Sequence, residues 1–511
     1  MSEERSIREI RLEKLASMRE LGHDPYAVER FDRAGTAQQL LDRYAELEGK
    51  PITFAGRIVA YRLMGKAGFA HLSDGDAKIQ AYFRKDDLGD VGWELFNLLD
   101  IGDHVGVRGE LFTTKTGEKT IHARELTPLS KSLQVLPLGK EKEGQHWYGL
   151  TDIEQRYRHR HLDLIANPEA RDLLVKRSRM VSAVRRFFDS RGFLEVETRM
   201  LQTIAGGASA TPFVTHYKAY DLDVKLRISL ELYLKRLIVG DLPAVYEIGR
   251  VFRNEGVSNR HSPEFSLLEF YQAYVNLEDV MALVEDLFRY VGEEVFGSTK
   301  VVVPEDPNTV ISDDDEQNTR KEVTLDFGKP WKRVDLLEQI EQRSGVKRDE
   351  LTELATAKKA MERAGLPSEK ENNIGGIIEK LLERFVEPTL IEPTFVIGYP
   401  IETSPLAKKD PRNPRFTRRF EGYVRGREIC NAFSEINDPL DQLERFQQQQ
   451  REMSKGDEEA HPMDMEYVEA LESGMPPAGG CGIGMERMAM ALTGADQVRE
   501  VILFPMMKPE G

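Results

Sequence analysis

At 511 residues the chain is too long for one hydrophobic core, and its 40% hydrophobic and 31% charged composition is that of a soluble globular protein with two or three domains. A formal net charge of −16 excludes indiscriminate attraction to nucleic acid, and two cysteines exclude a disulfide framework or a zinc site. The apolar runs are short and broken by charge, and the N-terminal MSEERSIREIRLEKLASMRE carries no apolar signal core, which predicts a cytoplasmic protein that makes no membrane contact.

Residues 1–50 read as a helical extension: two helical patterns flank HDPYAV at 23–28, and their basic faces suit either water or RNA. The period changes over residues 51–136. ITFAGRIVAYRL, AGFAHLSD, KIQAYFRK, DHVGVRGEL and KTIHAREL read as short strands, DGD and KTGE as turns, and GWELFNLL as a helix before the fourth strand. That order predicts a small closed barrel of oligonucleotide-binding type. A polar connector at 137–152 marks a domain boundary. Any RNA contact must then come from local basic surface such as RYRHRH at 156–161.

The third region spans 153–511. A helix follows Asn167 as N-cap and Pro168 as first residue, with Leu173, Leu174, Met180, Val181, Val184, Phe187 and Phe188 on one face and Gly192 closing its end. Strands and helices alternate from there to the C-terminus. Residues 304–322 are acidic and polar and read as an exposed insertion, and 334–392 read as mainly helical. Cys430 and Cys481 read as small packing residues in a reducing compartment.

Residues 252–265, FRNEGVSNRHSPEF, concentrate opposed charges between two strand-like flanks. If 245–255 and 264–274 pair as antiparallel strands, Glu247, Gly249, Val251, Arg253 and Glu255 share one face, and Phe265, Leu267, Glu269 and Tyr271 share another. Such faces suit a ligand with a phosphate and an aromatic base, because Arg offers phosphate a planar fork and Phe offers a purine a stacking surface. The loop adds Arg260 and His261 within reach of terminal phosphates. A solvated hairpin with internal Arg–Glu pairs explains the same residues without a ligand. GGCGIGMERMAMAL at 479–492 shifts the balance, since glycines at 480, 482 and 484 lead into a helix that starts with Arg487. The pattern has neither the Rossmann spacing nor the P-loop GK[ST], so it implies a third way of holding a nucleotide.

With LMGKAGFAHL, LFTTKTGE, RYRHRHLDLI, RGFLEVET, IAGGASATPFVTH, ELYLKRLIVG, FRNEGVSNRHSPEF, FGKPW, SPLAKKD, REICNAFSEIND, GCGIGMERM and VILFPMMKP in one order, the chain resembles a class II aminoacyl-tRNA synthetase, most closely the bacterial-type lysyl group. The resemblance implies an α+β chain: an N-terminal five-stranded OB-type barrel joined to a catalytic domain whose antiparallel sheet is flanked by helices, working as a homodimer. It implies ATP-dependent ligation of L-lysine to tRNA(Lys) through a lysyl-adenylate. By the same resemblance Arg253 would clamp the α-phosphate, Phe265 would stack on adenine, Glu255 and His261 would help place ATP, and Arg487 would hold the phosphates from the other side. Mg²⁺ would sit on Glu421 and Glu428, Glu231 and Glu435 would face the substrate ammonium, and Tyr271, Asn431 and Phe433 would line its pocket. In the barrel, Phe69, Gln80 and Glu125 match positions that read a U-rich anticodon, and Arg57 would meet phosphate.

Asn431, Phe433 and Glu435 share strand parity, whereas Glu428 has the opposite parity. A two-residue turn at Arg425–Gly426 would make Glu421 and Glu428 diagonal neighbours on one face. If both groups line one cavity, the strand must bulge or twist between 428 and 431. The chain departs from the family at Arg199 and Leu230, where proline is usual, at Thr211, where arginine is frequent, and at Glu486, where aspartate is usual. Rival readings are a paralogue that moves lysine to a protein or lipid, a sibling for aspartate or asparagine, and an RNA-binding protein with a dead synthetase domain. The anticodon-type barrel counts against the first, the acidic pocket against the second, and the intact Arg253, Arg487, Glu421 and Glu428 against the third.

Overall fold

Alternation of inward apolar and outward residues, regular in the first two strands and interrupted in the others, closes the strands β1 (Pro51–Met64), β2 (Ala67–Ser73), β3 (Lys78–Arg84), β4 (His104–Thr113) and β5 (Lys119–Ser130) into a barrel in the order β1-β2-β3-β5-β4. Phe54, Ile58, Leu72, Ile79, Phe83, Val107 and Ile121 fill it, and the helix Lys85–Leu98 lies between the third and fourth strands, as the sequence predicts. The helix Ile7–Glu20 starts with a Ser6–Glu9 capping box and docks through Met18 and through Arg11, whose guanidinium donates to the carbonyls of Ser132, Gln134 and Ile101. Lys131 is fully buried beside this contact, with its ammonium 2.5 Å from Asp100 and 2.8 Å from Asp103. The computed structural model describes residues 6–75, 77–138, 140–142, 145–147, 149–256, 258, 261–304, 322–454 and 463–510. Most of the 304–322 insertion and Arg260 therefore lie outside the described residues.

The chain forms two units, Met1–Arg171 and Asp172–Gly511. Within the first, RYRHRH is not the free basic surface its composition suggests. Arg156 and Arg160 both turn inward onto the buried Asp163, each at 2.6 Å, and Tyr157 is buried. Asn167 also differs from the expected helix cap. Its amide nitrogen donates to Leu150 O and to Asp163, and its Oδ1 is buried without a hydrogen bond, because the carboxylate of Asp163 is the stronger attraction. The helix nevertheless starts at Pro168 and runs to Asp189.

The second unit is built on a sheet of eight strands: β6 (Leu194–Glu195), β7 (Ala244–Phe252), β8 (Glu264–Ala273), β9 (Lys332–Asp335), β10 (Thr394–Ile397), β11 (Arg419–Val424), β12 (Arg427–Ser434) and β13 (Ala478–Gly484). Their spatial order is β9-β10-β11-β12-β13-β8-β7-β6, antiparallel except for the outer pairs β9–β10 and β6–β7. Parity divides the sheet. Tyr246, Leu268, Phe270, Cys430, Ala432 and Ile483 face a core shared with the helices Pro168–Asp189, Leu277–Val291 and Met485–Thr493. Glu247, Glu269, Tyr271, Asn431 and Phe433 alternate with these and face the other side. Both cysteines are free and buried. No helix among the described residues is long and apolar enough to cross a membrane.

Replacing Lys131 by Met leaves Asp100 and Asp103 without their buried counter-charge. The expected loss is about 3–5 kcal/mol, read as a lower thermal midpoint of the full chain, and an unchanged midpoint refutes the pairing.

Candidate active site

The polar face of the sheet floors a cavity of about 360 Å³, lined among others by Glu231, Arg253, Phe265, Glu269, Glu421 and Arg487. Its two ends carry opposite problems. One gathers guanidinium groups, the other carboxyl groups.

At the first end β7 and β8 pair in register, with Gly249 opposite Leu267 and Val251 opposite Phe265. Strand β7 stops at Phe252, three residues short of the expected 255, so Arg253 starts the loop rather than ending the strand face. Its backbone stays tethered: Arg253 N–H donates to Pro263 O at 2.8 Å, and Asn254 N–H donates to Thr211 O at 2.7 Å. The Arg253 guanidinium lies 5.1 Å from the Phe265 ring centroid and makes no ion pair with any described residue. Burial holds its pKa below the ordinary arginine range. Arg487, from the helix entered through the glycine run, donates to Glu428 Oε2 at 2.6 Å and to Glu428 O at 2.8 Å, with His261 Nε2 3.4 Å away. Glu255 and His261 line the same cavity.

Glu421 and Glu428 reach the cavity together because the β11–β12 ladder is irregular. The two-residue turn is present, with Arg425 and Gly426 both at positive φ and Val424 opposite Arg427. Tyr423 then pairs with Glu428 but Gly422 pairs with Cys430, so Ile429 is the extra residue of a bulge. The bulge resolves the parity conflict: Glu421, Glu428, Asn431 and Phe433 all line the cavity. Glu421 accepts from Arg419 at 2.5 Å, from Tyr399 at 2.7 Å and from Tyr423 at 2.6 Å. Arg419, unnoticed in the sequence, also donates to Asn431 Oδ1, Thr403 O and Ser404 Oγ. Nearby Glu379 and Glu387 are each pushed up to about 7, chiefly by burial, and for Glu387 also by the charges of Glu421, Glu383 and Glu428. Among the described residues no cluster of three ligating side chains could hold a metal alone. Two convergent carboxylates in an acid-rich setting fit a hard cation that brings phosphate oxygens with it.

At the other end, Glu231 opens the helix Glu231–Val239, and Lys235 follows one turn later. The fully buried Lys235 ammonium is ion-paired to both Glu231 and Glu435. It lies 5.7 Å from the Tyr271 ring centroid and 5.5 Å from that of Phe433. Glu231 and Glu435 therefore converge, but on the chain's own amine. Glu435 corrects the expectation in one respect: it is buried in its pair with Lys235, and neither of the two lines the cavity. Glu269 is a further carboxyl that the hairpin parity offered but the sequence analysis assigned no role. It is buried and accepts from Ser229 Oγ, Leu230 N–H and Tyr271 OH at 2.9–3.1 Å. Burial, then the Glu231 charge, pushes Glu269 up to about 7, and burial pushes Glu435 up to about 8. Gly480 has no side chain because none fits. A Cβ there would overlap the Tyr271 ring and stand 2.5 Å from Glu435 Oε1.

The family departures are accommodated. Leu230 supplies an N–H to Glu269 that a proline lacks, and Glu486 joins Arg177 to Ser266 N–H. Arg199 stacks on Tyr233, donating to its hydroxyl at 2.8 Å.

The barrel carries a separate candidate face. Phe69 is half-buried on the outside, 4.8 Å from Tyr82, which lies 5.4 Å from His122 and 6.1 Å from Phe112. Gln80 sits beside them, its amide committed to Glu118 at 2.7 Å and to the Thr120 hydroxyl at 2.9 Å. Glu118 also meets His71 at 2.9 Å. Glu125 does not join this group. It is exposed against Arg108, five residues beyond Thr120, about 16 Å at 3.3 Å per strand residue. Arg57 is half-buried and donates to Gly102 O at 3.0 Å.

Residues 152–508 match the family described as tRNA synthetases class II (D, K and N), and residues 52–129 match the OB-fold nucleic acid binding domain. The chain is 48% identical over 501 residues to a lysine–tRNA ligase of Thermoanaerobacter sp. (strain X514), covering 98% of this chain and 96% of the relative. It is 49% identical to the lysine–tRNA ligase of Pelotomaculum thermopropionicum (98% and 94% covered) and 44% identical to that of Bacillus subtilis (strain 168) (98% and 97% covered).

Gly480→Ala is expected to cost about 1–3 kcal/mol of stability and to perturb the near-ultraviolet signal of the displaced Tyr271. Gly256→Ala, where a Cβ meets nothing within 4 Å, is the control. Equal behaviour of the two variants refutes the tight approach at Gly480.

Proposed function

The chain belongs to the class II lysine–tRNA ligases, and from that premise we propose that the cavity forms lysyl-adenylate from L-lysine and ATP and passes the lysyl group to tRNA(Lys). The observation that carries this reading is one cavity with phosphate-seeking guanidinium groups at one end and buried carboxyls at the other. An α-amino acid with a cationic side chain and a nucleoside triphosphate are complementary to those two ends.

The chemistry needs position more than a protein nucleophile. The lysine carboxylate attacks the α-phosphorus, the bond to the bridging oxygen breaks, and pyrophosphate leaves. Arg253, which has no acidic partner of its own, receives the α-phosphate and the charge that grows on it. Phe265 offers the adenine a stacking face, Glu255 and His261 help to place the nucleotide, and Arg487 holds the phosphates from the other side. Glu421 and Glu428 would hold Mg²⁺, which when bound neutralises phosphate charge. Glu231 and Glu269 take the ammonium groups of lysine, with Tyr271, Asn431 and Phe433 around its side chain. In the second step the 3′-terminal hydroxyl of the tRNA attacks the activated carbonyl and AMP leaves.

For the barrel, Phe69 and its aromatic neighbours supply stacking faces for unpaired bases, Gln80 and Glu118 supply hydrogen-bonding groups, and Arg57 supplies charge for phosphate. For the homodimer, the support is an exposed apolar surface on β6 and the adjoining three-stranded sheet: Leu194, Met200, Leu201, Val214, Tyr217 and Leu222 are each 40–62% exposed.

ATP–pyrophosphate exchange is the direct test. Exchange with lysine alone is expected, and Arg253→Ala should lower its rate about 10²–10³-fold. No exchange with any amino acid would end the reading. A pH effect is also expected. Burial, then the Glu231 charge, pushes the cavity-lining Glu269 carboxyl up to about 7, and an ammonium binds its ionised form. Lysine binding should therefore release protons, and its affinity should fall as pH drops through about 7. Calorimetry in buffers of different ionisation enthalpy measures this, and proton uptake would contradict it.

A further inference from the structure

Arg419 carries a charge that takes no direct part in the reaction. It is buried yet lines the cavity, with its guanidinium 4.5 Å from the Tyr399 ring centroid. Each nitrogen serves a different neighbour. Nε donates to Asn431 Oδ1 at 3.0 Å, Nη1 to Thr403 O at 2.7 Å and to Ser404 Oγ at 3.0 Å, and Nη2 to Glu421 Oε1 at 2.5 Å. A planar fork committed at all three nitrogens is fixed in orientation and does not swing out to grip a substrate itself.

What that fork decides is the direction of one amide. Arginine has donors and no acceptor, so the atom of Asn431 that faces it is the carbonyl oxygen. The amide nitrogen keeps two donors with no partner among the described residues, on a side chain that lines the cavity. Asn431 stands between the two ends of that cavity. Glu421 is its neighbour across the β11–β12 ladder, and Phe433, two residues on, lies 5.5 Å from the ammonium that pairs with Glu231. A lysine that sends its ammonium groups to the carboxyls and its carboxylate toward the α-phosphate lays that carboxylate along this middle stretch. Its carboxylate oxygens are the acceptors that it offers to an amide N–H.

Resting on the reading of this cavity as the lysine site, we propose that Arg419 is a positioning residue for the attacking carboxylate: it holds the Asn431 amide with its N–H donors toward the cavity, so that the amide receives the carboxylate of lysine. It acts on the substrate through Asn431. With the amide reversed, a carbonyl oxygen would face the carboxylate and repel it.

The test measures binding of lysine and of cadaverine, which carries two ammonium groups and no carboxylate, to the full-length protein. Arg419→Lys keeps the charge but not the planar fork, and so frees the amide to turn. The lysine Kd should rise at least about tenfold, the loss of one hydrogen bond to a charged group, with cadaverine binding and the KM for ATP unchanged. A merely structural role would weaken both ligands alike. In a double-mutant cycle Arg419→Lys should add less than about twofold to the lysine Kd of Asn431→Ala, because its effect runs through that amide. Asn431→Asp leaves position 419 intact and keeps an acceptor for it while removing the donors, so the test does not depend on folding of the Arg419 variant. It should weaken lysine at least about tenfold and bind cadaverine no worse than wild type. Equal losses for the two ligands, additive losses in the cycle, or wild-type lysine affinity in Asn431→Asp overturns the proposal, while wild-type exchange with lysine leaves the functional reading standing. Absence of exchange in the wild type would overturn both.

Discussion

Burying carboxyl groups side by side is the constraint on which this catalytic unit depends. Taking one carboxylate out of water costs several kcal/mol, and two like charges 4 Å apart repel by about 4 kcal/mol at an effective dielectric constant of 20. The fold meets that cost locally. Lys235 joins Glu231 to Glu435, Arg419 joins Glu421 to Asn431, and Arg487 holds Glu428. Among the described residues Glu269 has no cation within ion-pair distance; it relies on three neutral donors, and burial pushes its carboxyl up to about 7. The Lys235–Glu435 and Arg487–Glu428 pairings and the Glu269 hydrogen bonds tie together elements distant in sequence, so charge balance and the positions of the helix Glu231–Val239 and of strands β8 and β12 are one requirement. The acid pocket is consequently preformed, with little left for a ligand to reorganise.

Backbone geometry adds a second requirement. A regular β11–β12 ladder cannot present Glu421, Glu428, Asn431 and Phe433 to one side, because side chains alternate. The bulge at Ile429 shifts the parity by one residue and buries Ile429 in the opposite core. Glycines complete the arrangement where side chains from neighbouring strands crowd the floor, as Tyr271 and Glu435 do at Gly480. One inserted residue and one missing side chain therefore shape the floor of the cavity, while loop residues such as Ser209, Glu255, His261 and Ser404 line the rest.

The barrel was legible in the sequence because its strands are short, the first two alternate regularly, and its turns carry their own chemistry. The bulge was legible because two groups of opposite parity were both needed in one place. Other features were hidden. The basic run RYRHRH suggested exposed charge, yet Asp163 lies within helical reach of Arg160 and draws both Arg156 and Arg160 inward. Glu118 precedes the strand Lys119–Ser130, Glu125 lies within it, and the two look alike in sequence. Only the register, which places Gln80 opposite Thr120, decides which of them meets the aromatic face. Lys235 lay one helical turn from Glu231 in plain view, but an i,i+4 Glu–Lys pair is ordinarily a solvated surface pair. Its burial follows from β12 bringing Glu435 over it, a contact across 200 positions that no local pattern carries.

The two guanidinium groups at the nucleotide end differ in a way that bears on how the site fills. Arg253 is half-buried and makes no ion pair with any described residue, so its charge draws an anion. Arg487 is already satisfied by Glu428, at Oε2 and at the backbone carbonyl. That leaves Glu428 Oε1 open, and a carboxylate has lone pairs enough to accept from a guanidinium on one oxygen while facing a divalent cation with the other. Glu421 is similarly placed, its oxygens held by one arginine and two tyrosine hydroxyls without exhausting them. The acids at this end are thus oriented by partners that need not leave when cation and phosphate arrive. Binding then adds charges to a rigid frame, with Arg253 as the group whose energy changes most.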